Sequence, residues 1–179
     1  MLEVKTGQLD RLGELFSRYS RKLYLFFYRM TGEREISQDL VQNVFERMLR
    51  YRHTFTGEGF ITWMYHLARN AGADHFRKAG KFQVTKDLEA WSDKLADAAQ
   101  TDAGMQKEQE LQLLQAALQK LSVDKREVIT LSRYQELKYE EIARILDCSE
   151  GAVKVRVHRA MQDLKTNYHE LLKERSYQV

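Results

Sequence analysis

The first eighty residues place apolar side chains at the spacings of an amphipathic helix. These side chains recur three and four positions apart over Leu9 to Met30, Ile36 to Tyr51, and Phe60 to about Lys78. The pair Thr31-Gly32 interrupts the first stretch, and a polar loop, Thr54 to Gly59, precedes the third. The pattern predicts three helices that bury their apolar faces against one another in a compact bundle.

The second predicted helix has an unusual polar face. Opposite its broad apolar side, four polar residues lie within about a third of the circumference, at spacings of three and four; they are Asp39, Gln42, Asn43 and Glu46. A solvated surface explains this face as well as a binding role does.

The third predicted helix carries a different chemistry. We expect six side chains to point away from its buried stripe: Tyr65, His66, Arg69, Asn70, Phe76 and Arg77. Aromatic rings beside a guanidinium and an amide are the groups that receive unstacked bases of single-stranded DNA. Taken singly, Tyr65 and Phe76 are equally compatible with packing on neighbouring helices.

Near the C-terminus, two apolar-striped helices flank the three-residue turn Asp147-Cys148-Ser149. The second helix is suited to capping by Ser149, whose hydroxyl can accept from the amide of Gly151 or Ala152. The helical period predicts a buried stripe of Val153, Val157, Ala160 and Leu164. This arrangement is typical of a helix-turn-helix, which places its second helix in the DNA major groove.

The outer face of that second helix favours DNA binding. It presents Lys154, Val155, His158, Arg159 and Gln162. An ordinary amphipathic hairpin with a solvated basic face is the alternative, but solvated faces usually mix charges of both signs. From Ala152 to Met161 the chain has cations and no carboxylate.

Composition and charge predict an all-α fold in two parts. The 179 residues include no proline and only 9 glycines, and proline would break helices. Residues 1–82 contain 14 Lys and Arg against 9 Asp and Glu, residues 83–110 contain 3 against 7, and residues 111–179 contain 12 against 10. We predict two small helical domains, 1–82 and 111–179, joined by a flexible acidic linker, 83–110, with room for a helical turn near Leu88 and Trp91.

Cysteine usage and the N-terminal sequence lead us to expect a cytoplasmic protein. The single Cys148 excludes an internal disulfide and fits a reducing compartment. The first residues lack the basic end and apolar core of a signal peptide. The longest apolar run, Leu23 to Tyr28, is too short to cross a membrane.

Three motifs resemble those of a known family. The run Asp39-Leu-Val-Gln-Asn-Val-Phe45 is similar to an aspartate-leucine-x-glutamine-acidic-x-phenylalanine signature. The stretch Phe60 to Lys78 contains a tryptophan followed by an alanine-arginine-asparagine run, and Ala117 to Ile129 with Tyr139 to Arg159 resembles a C-terminal domain. In this order they resemble the extracytoplasmic-function (ECF) sigma factors, promoter-specificity subunits of bacterial RNA polymerase, over roughly residues 9–80 and 111–172.

The resemblance implies a role for each polar surface. Residues 1–82 would form the region 2 domain and residues 111–179 the region 4 domain, which would also meet the flap of the second-largest polymerase subunit. The clamp helices of the largest subunit would be bound by Asp39, Gln42, Asn43 and Glu46. The melted −10 element would be captured by His66, Arg69, Asn70, Asp74, Arg77 and Lys78. The −35 element would be bound by Ser149, Glu150, Gly151, Lys154, Val155, Arg156, His158 and Arg159.

The resemblance also implies a regulator, and the chain departs from the family pattern at two positions. An anti-sigma factor would clamp the two domains and cover the faces that contain Asp39 and Lys154. The family usually has an acidic residue at the position of Asn43, so the clamp contact would either be weaker or use Glu46 more. It also usually has proline after the leucine at Leu121, where this chain has Ser122.

Other classes explain less of the chain. A conventional helix-turn-helix activator or repressor leaves the Asp39 to Phe45 motif unexplained, and a pure adaptor would not need a basic recognition helix. An enzyme is disfavoured because the histidines lack metal-ligand spacing and no glycine-rich phosphate loop or nucleophile motif occurs. We expect no catalytic residue, metal or cofactor, and as partners core RNA polymerase, promoter DNA and an anti-sigma factor.

Overall fold

A computed structural model describes residues 1–80 and 102–176, and helices dominate both segments. A short helix α1 (Leu2–Lys5) precedes three long ones, α2 (Arg11–Thr31), α3 (Arg34–Arg50) and α4 (Phe60–Gly80), with a 3₁₀ turn at Arg52–Thr54. The second segment contains α5 (Asp102–Gln119), α6 (Val123–Ile129), a π-helical stretch at Thr130–Tyr134, α7 (Tyr139–Leu146) and α8 (Glu150–Ser176). The predicted all-α fold is confirmed.

In the N-terminal half, α2, α3 and α4 form the predicted bundle, with boundaries within about two residues of those expected. Helix α2 ends at Gly32, which has φ 78° and whose amide donates to the carbonyl oxygen of Tyr28 at 2.8 Å. A left-handed residue at this point is a common helix terminator, and glycine adopts it without strain. The buried centre of the bundle includes Leu23, Phe26, Phe27, Val44, Met48, Met64 and Ala68.

In the C-terminal half, α7 and α8 form the predicted helix-turn-helix. Helix α7 begins where the Lys138 amide donates to Glu141 Oε2 at 2.9 Å, and it ends at Asp147, which has φ 49°. The predicted stripe of Val153, Val157, Ala160 and Leu164 is buried. Helix α5 starts at Asp102, within the stretch expected to be linker, whereas the turn expected near Leu88 and Trp91 lies outside the described residues.

The two halves pack directly against each other. Helix α2 contacts α5, α6 and the π-helical stretch, and α4 contacts α7. The end of α2 is hydrogen-bonded by the other half: Gln115 donates to the Tyr28 carbonyl and Gln119 to the Arg29 carbonyl, each at 2.9 Å. Buried residues of both halves form one continuous apolar cluster. The linker prediction did not anticipate this contact.

Within residues 1–80 and 102–176, no helix combines the length and the apolar composition that crossing a bilayer requires.

Candidate polymerase and DNA interfaces

Helix α3 presents the polar face expected from the sequence. Asp39, Gln42 and Glu46 are exposed, and Asn43 is half-buried. They form a ridge because the opposite side of the helix is fixed in the core by Leu40, Val41, Val44, Phe45 and Met48. We call these four polar residues the α3 ridge.

One residue of the ridge is already engaged. The Oδ1 atom of Asn43 accepts a hydrogen bond from Nε of Arg47 at 2.6 Å. Arg47 reaches onward to α4, where its Nη2 donates to Oδ2 of Asp74 at 2.6 Å. The other carboxylate oxygen of Asp74 accepts from Nη2 of Arg77 at 2.6 Å. The hydrogen bond from Arg47 is the main cause of the lowered pKa of Asp74.

The candidate −10 residues occupy one side of α4 at different depths. Asn70, Arg77 and Lys78 are exposed, and His66, Arg69 and Asp74 are half-buried. Their spacings of three and four place them along a common strip of the helix. The strip is rich in donors, which suits contacts to phosphates and base edges.

The expectation that Tyr65 points away from the buried stripe is wrong. Its side chain is only 2% exposed, and its ring packs against Phe26 at 5.4 Å between centroids. The hydroxyl donates to Oε1 of Gln135 in the other half at 2.6 Å, and burial raises the pKa of Tyr65. Phe76 is also partly buried against the core. The sequence pattern identifies the aromatic residues but does not indicate which neighbours they pack against.

Arg69 contacts the C-terminal half. Its Nε lies 3.2 Å from Oε2 of Glu127 on α6. Burial raises the pKa of Glu127, and the charge of Arg69 opposes that shift. One cation of the candidate −10 strip is therefore occupied while the halves are packed together.

The outer face of α8 matches the prediction. The Ser149 hydroxyl accepts from the Ala152 amide at 3.2 Å, and the helix starts at Glu150 as expected. Lys154 Nζ lies 3.3 Å from Oε1 of Glu150, but both side chains are more than half exposed, so water screens this pair. Lys154, Arg156, His158 and Arg159 are exposed, as are Gly151 and the apolar Val155.

Three partners of the candidate residues and of Tyr65 were not identified from the sequence: Arg47, Glu127 and Gln135. Arg47 had a detectable signal, because it lies four positions after Asn43 on the same helix face. Glu127 and Gln135 had none, since their contacts cross between the halves over separations of 58 and 70 residues.

The described part of the chain contains no group of three His, Cys, Asp or Glu side chains arranged to hold a metal ion.

Comparison with known proteins assigns both halves. Residues 15–82 match the family model for Sigma-70 region 2, and residues 111–164 match the model for Sigma-70, region 4. The chain is 32% identical over 167 residues to the ECF RNA polymerase sigma factor BldN of Streptomyces coelicolor; the match covers 90% of this chain and 61% of that protein. It is 30% identical to the ECF RNA polymerase sigma factor SigM of Bacillus subtilis, over 88% of this chain and 95% of that protein.

A solved structure agrees. The sigma factor RpoE of Bartonella quintana, crystallised with the anti-sigma factor NepR, superposes with a TM-score of 0.69 at 26% identity, over 90% of this chain and 96% of that one. The helix-turn-helix, the α3 ridge and the two family matches converge: the chain belongs to the ECF RNA polymerase sigma factors and directs promoter-specific initiation of transcription.

Proposed function

We propose a division of this activity among three surfaces in two functional domains, 1–82 and 111–179. The α3 ridge binds the clamp helices of core RNA polymerase. The strip on α4 binds the melted −10 element through His66, Arg69, Asn70, Asp74, Arg77 and Lys78. The helix-turn-helix binds the −35 element through Ser149, Glu150, Gly151, Lys154, Val155, Arg156, His158 and Arg159, and it also contacts the polymerase flap.

The observation that carries the −35 assignment is the geometry of α8. Its apolar stripe is buried, while Lys154, His158 and Arg159 share the exposed side near a capped N-terminus. Lys and Arg donors suit the acceptors of guanine in the major groove, and an exposed valine suits the methyl group of thymine. Val155 is 49% exposed in the middle of this polar face. Contact with a thymine methyl group would explain why an apolar side chain is exposed at this position.

The packed arrangement of the two halves suits the free chain, before it binds promoter DNA. Elements centred near −35 and −10 lie about 25 positions apart, which corresponds to roughly 85 Å along the duplex at 3.4 Å per position. In the structure α7 contacts both α4 and α8, and a helix with its side chains is about 10 Å across, so the two surfaces lie much closer together than that. The two halves must therefore separate before both elements can be bound at once.

The remaining partners follow from the family. The Bartonella quintana relative is crystallised with an anti-sigma factor, and we assign an anti-sigma partner to this chain as well. Such a partner would cover the α3 ridge and the outer face of α8. The chain acts as a binding factor in the cytoplasm, and the chemistry of RNA synthesis belongs to the polymerase.

The test combines core binding with transcription. Asp39→Ala and Gln42→Ala should weaken the affinity for core polymerase by severalfold and reduce promoter-dependent transcript to match. Stability should change by no more than about 0.5 kcal/mol, because both side chains are exposed. Gln8→Ala, at an exposed position outside α3, is the matched control.

Two outcomes would contradict the proposal. Normal core affinity in both ridge variants would remove the clamp assignment. Tight, promoter-specific binding by the chain without polymerase would favour a conventional regulator, because a short recognition helix makes few phosphate contacts on its own.

A further inference from the structure

We infer that Arg47 is a positioning residue for capture of the −10 element, acting through Asp74 and Arg77; the inference rests on the proposed −10 role of α4. Arg47 belongs to α3, outside the ridge and outside the α4 strip. Its Nε donates to Asn43 and its Nη2 to Asp74, both at 2.6 Å. A guanidinium suits this task because its planar array of donors can reach two acceptors in fixed directions.

Both carboxylate oxygens of Asp74 accept hydrogen bonds from arginines. Its Oδ2 accepts from Arg47 and its Oδ1 accepts from Arg77, each at 2.6 Å. The carboxylate therefore holds Arg77 in place on the strip. Arg77 has 71% of its side chain exposed. Among the described residues, no other partner is found for its remaining donors, which can therefore face a DNA strand.

Charge explains why the arrangement needs two arginines. A lone carboxylate on the strip would repel the phosphates of a bound strand. With Arg47 on one side and Arg77 on the other, the three groups carry a net charge of +1, and the pKa of Asp74 is held down. Asp74 therefore stays ionised and keeps both arginines as partners, while the cluster as a whole attracts the strand.

A purely structural role for Arg47 would be small. Its side chain is 22% exposed and that of Asp74 is 35% exposed, so water weakens the pair. The location of Arg47 is therefore more informative than the strength of its ion pair with Asp74. Arg47 lies one helical turn after Asn43, so the polymerase-facing ridge and the DNA-facing strip share one side chain.

The experiment uses holoenzyme assembled from core polymerase and the full chain. A promoter is first recovered with wild-type holoenzyme from a genomic fragment library, and its non-template strand across the −10 element supplies a single-stranded oligonucleotide. The measurements are affinity for this oligonucleotide, affinity for core polymerase and the Tm of the free chain. The variants are Arg47→Ala, Arg47→Lys, Arg77→Ala, the double Ala variant and, as a charge control on the same helix, Arg50→Ala.

We expect Arg47→Ala and Arg77→Ala each to weaken oligonucleotide binding about threefold to tenfold, as for loss of a charge-assisted hydrogen bond that is partly screened. The double variant should be no more than about twofold weaker than either single one, because both changes interrupt one path. Arg47→Lys should recover part of the loss, and Arg50→Ala should stay within about twofold of wild type. Core affinity should fall less than oligonucleotide affinity in Arg47→Ala, which loses only the contact to Asn43 of the ridge, and it should not change in Arg77→Ala. The Tm should not change in either variant.

Several results would overturn the inference. Normal binding by Arg47→Ala beside a defect in Arg77→Ala would remove the positioning role and leave the −10 strip intact. The positioning role would also be removed by fully multiplicative losses in the double variant or by an equal loss in Arg50→Ala. A parallel fall in core affinity or Tm would remove it as well. Normal binding by Arg77→Ala would remove the −10 role of this part of α4, and the inference with it.

Discussion

Arg69 on α4 and Glu127 on α6 form an ion pair, Nε to Oε2 at 3.2 Å, that joins the two halves of the chain. The Glu127 side chain is 10% exposed and that of Arg69 is 40% exposed. The carboxylate is thus the buried partner. A buried carboxylate is costly when its cation is removed, so this contact should control how tightly the halves are held together.

Removing Arg69 should open the free chain. Arg69→Ala leaves Glu127 buried without its cation, and separation of the halves would let water reach the carboxyl group. The radius of gyration from small-angle scattering should rise by several ångströms above the value of about 16 Å expected for a compact chain of this length. The double variant Arg69→Ala with Glu127→Gln should stay compact. An expanded double variant would show that the ion pair is not the cause.

The same contact predicts a dependence on pH. Burial raises the pKa of Glu127 in the packed state above its ordinary value, despite the charge of Arg69. Glu127 thus contributes stability to the packed state below its ordinary pKa, and that contribution is lost as the pH rises through the raised value. Glu127→Gln imitates the protonated form. It should remain compact and remove this part of the pH dependence, whereas an unchanged pH profile would contradict the assignment.

Tyr65 offers a prediction about burial. Tyr65→Ala should cost about 3–5 kcal/mol of unfolding free energy, as for other large buried rings. Tyr65→Phe keeps the packing against Phe26 and loses only the hydrogen bond to Gln135, so it should cost about 1 kcal/mol. Urea unfolding of the free chain measures both. Two equally small effects would indicate a ring that lies on the surface.

The outer face of α8 should separate base readout from phosphate binding. Arg159→Ala should relax preference at one or two positions of the −35 element, by about 1–3 kcal/mol. Arg156→Ala should instead lower transcription from all promoters alike. Holoenzyme activity on a randomised −35 library compares the two variants. Uniform loss in both would mean that DNA shape carries the specificity.

Two glycines at the ends of α2 should respond with opposite signs. Gly13 lies in the exposed first turns of the helix, where an added methyl group would have no neighbour within 4 Å, so Gly13→Ala should stabilise the chain by about 0.5–1 kcal/mol. Gly32 has φ 78°, which strains alanine, so Gly32→Ala should destabilise it by about 1 kcal/mol or more. Thermal unfolding checks both, and equal signs would contradict the assigned end of α2.

The helices and much of the exposed surface could be predicted from the sequence because helical periodicity is a local property. Periodicity predicted the buried stripe of α8, the cap at Ser149 and the exposure of Asp39 and Gln42. The prediction for Tyr65 failed because its partners lie on other elements: its ring packs against Phe26 of α2, and its hydroxyl bonds to Gln135, 70 residues further along the chain. The pairing of Arg69 with Glu127 was invisible for the same reason, since no periodic signal reports a contact between two separate helical units.

The contacts at the end of α2 should add little to the free-energy cost of separating the two halves. The last carbonyls of a helix lack partners within the helix, and here Gln115, Gln119 and Arg126 from the other half donate to them. When the halves part, water can replace those donors at little cost. Exposure to water should stabilise the charged side chain of Arg126. Its Nε has no hydrogen-bond partner within the described residues, and burial lowers the pKa of Arg126 to about 10. Hydration of that guanidinium should therefore favour separation of the halves and offset part of the apolar contact that separation gives up.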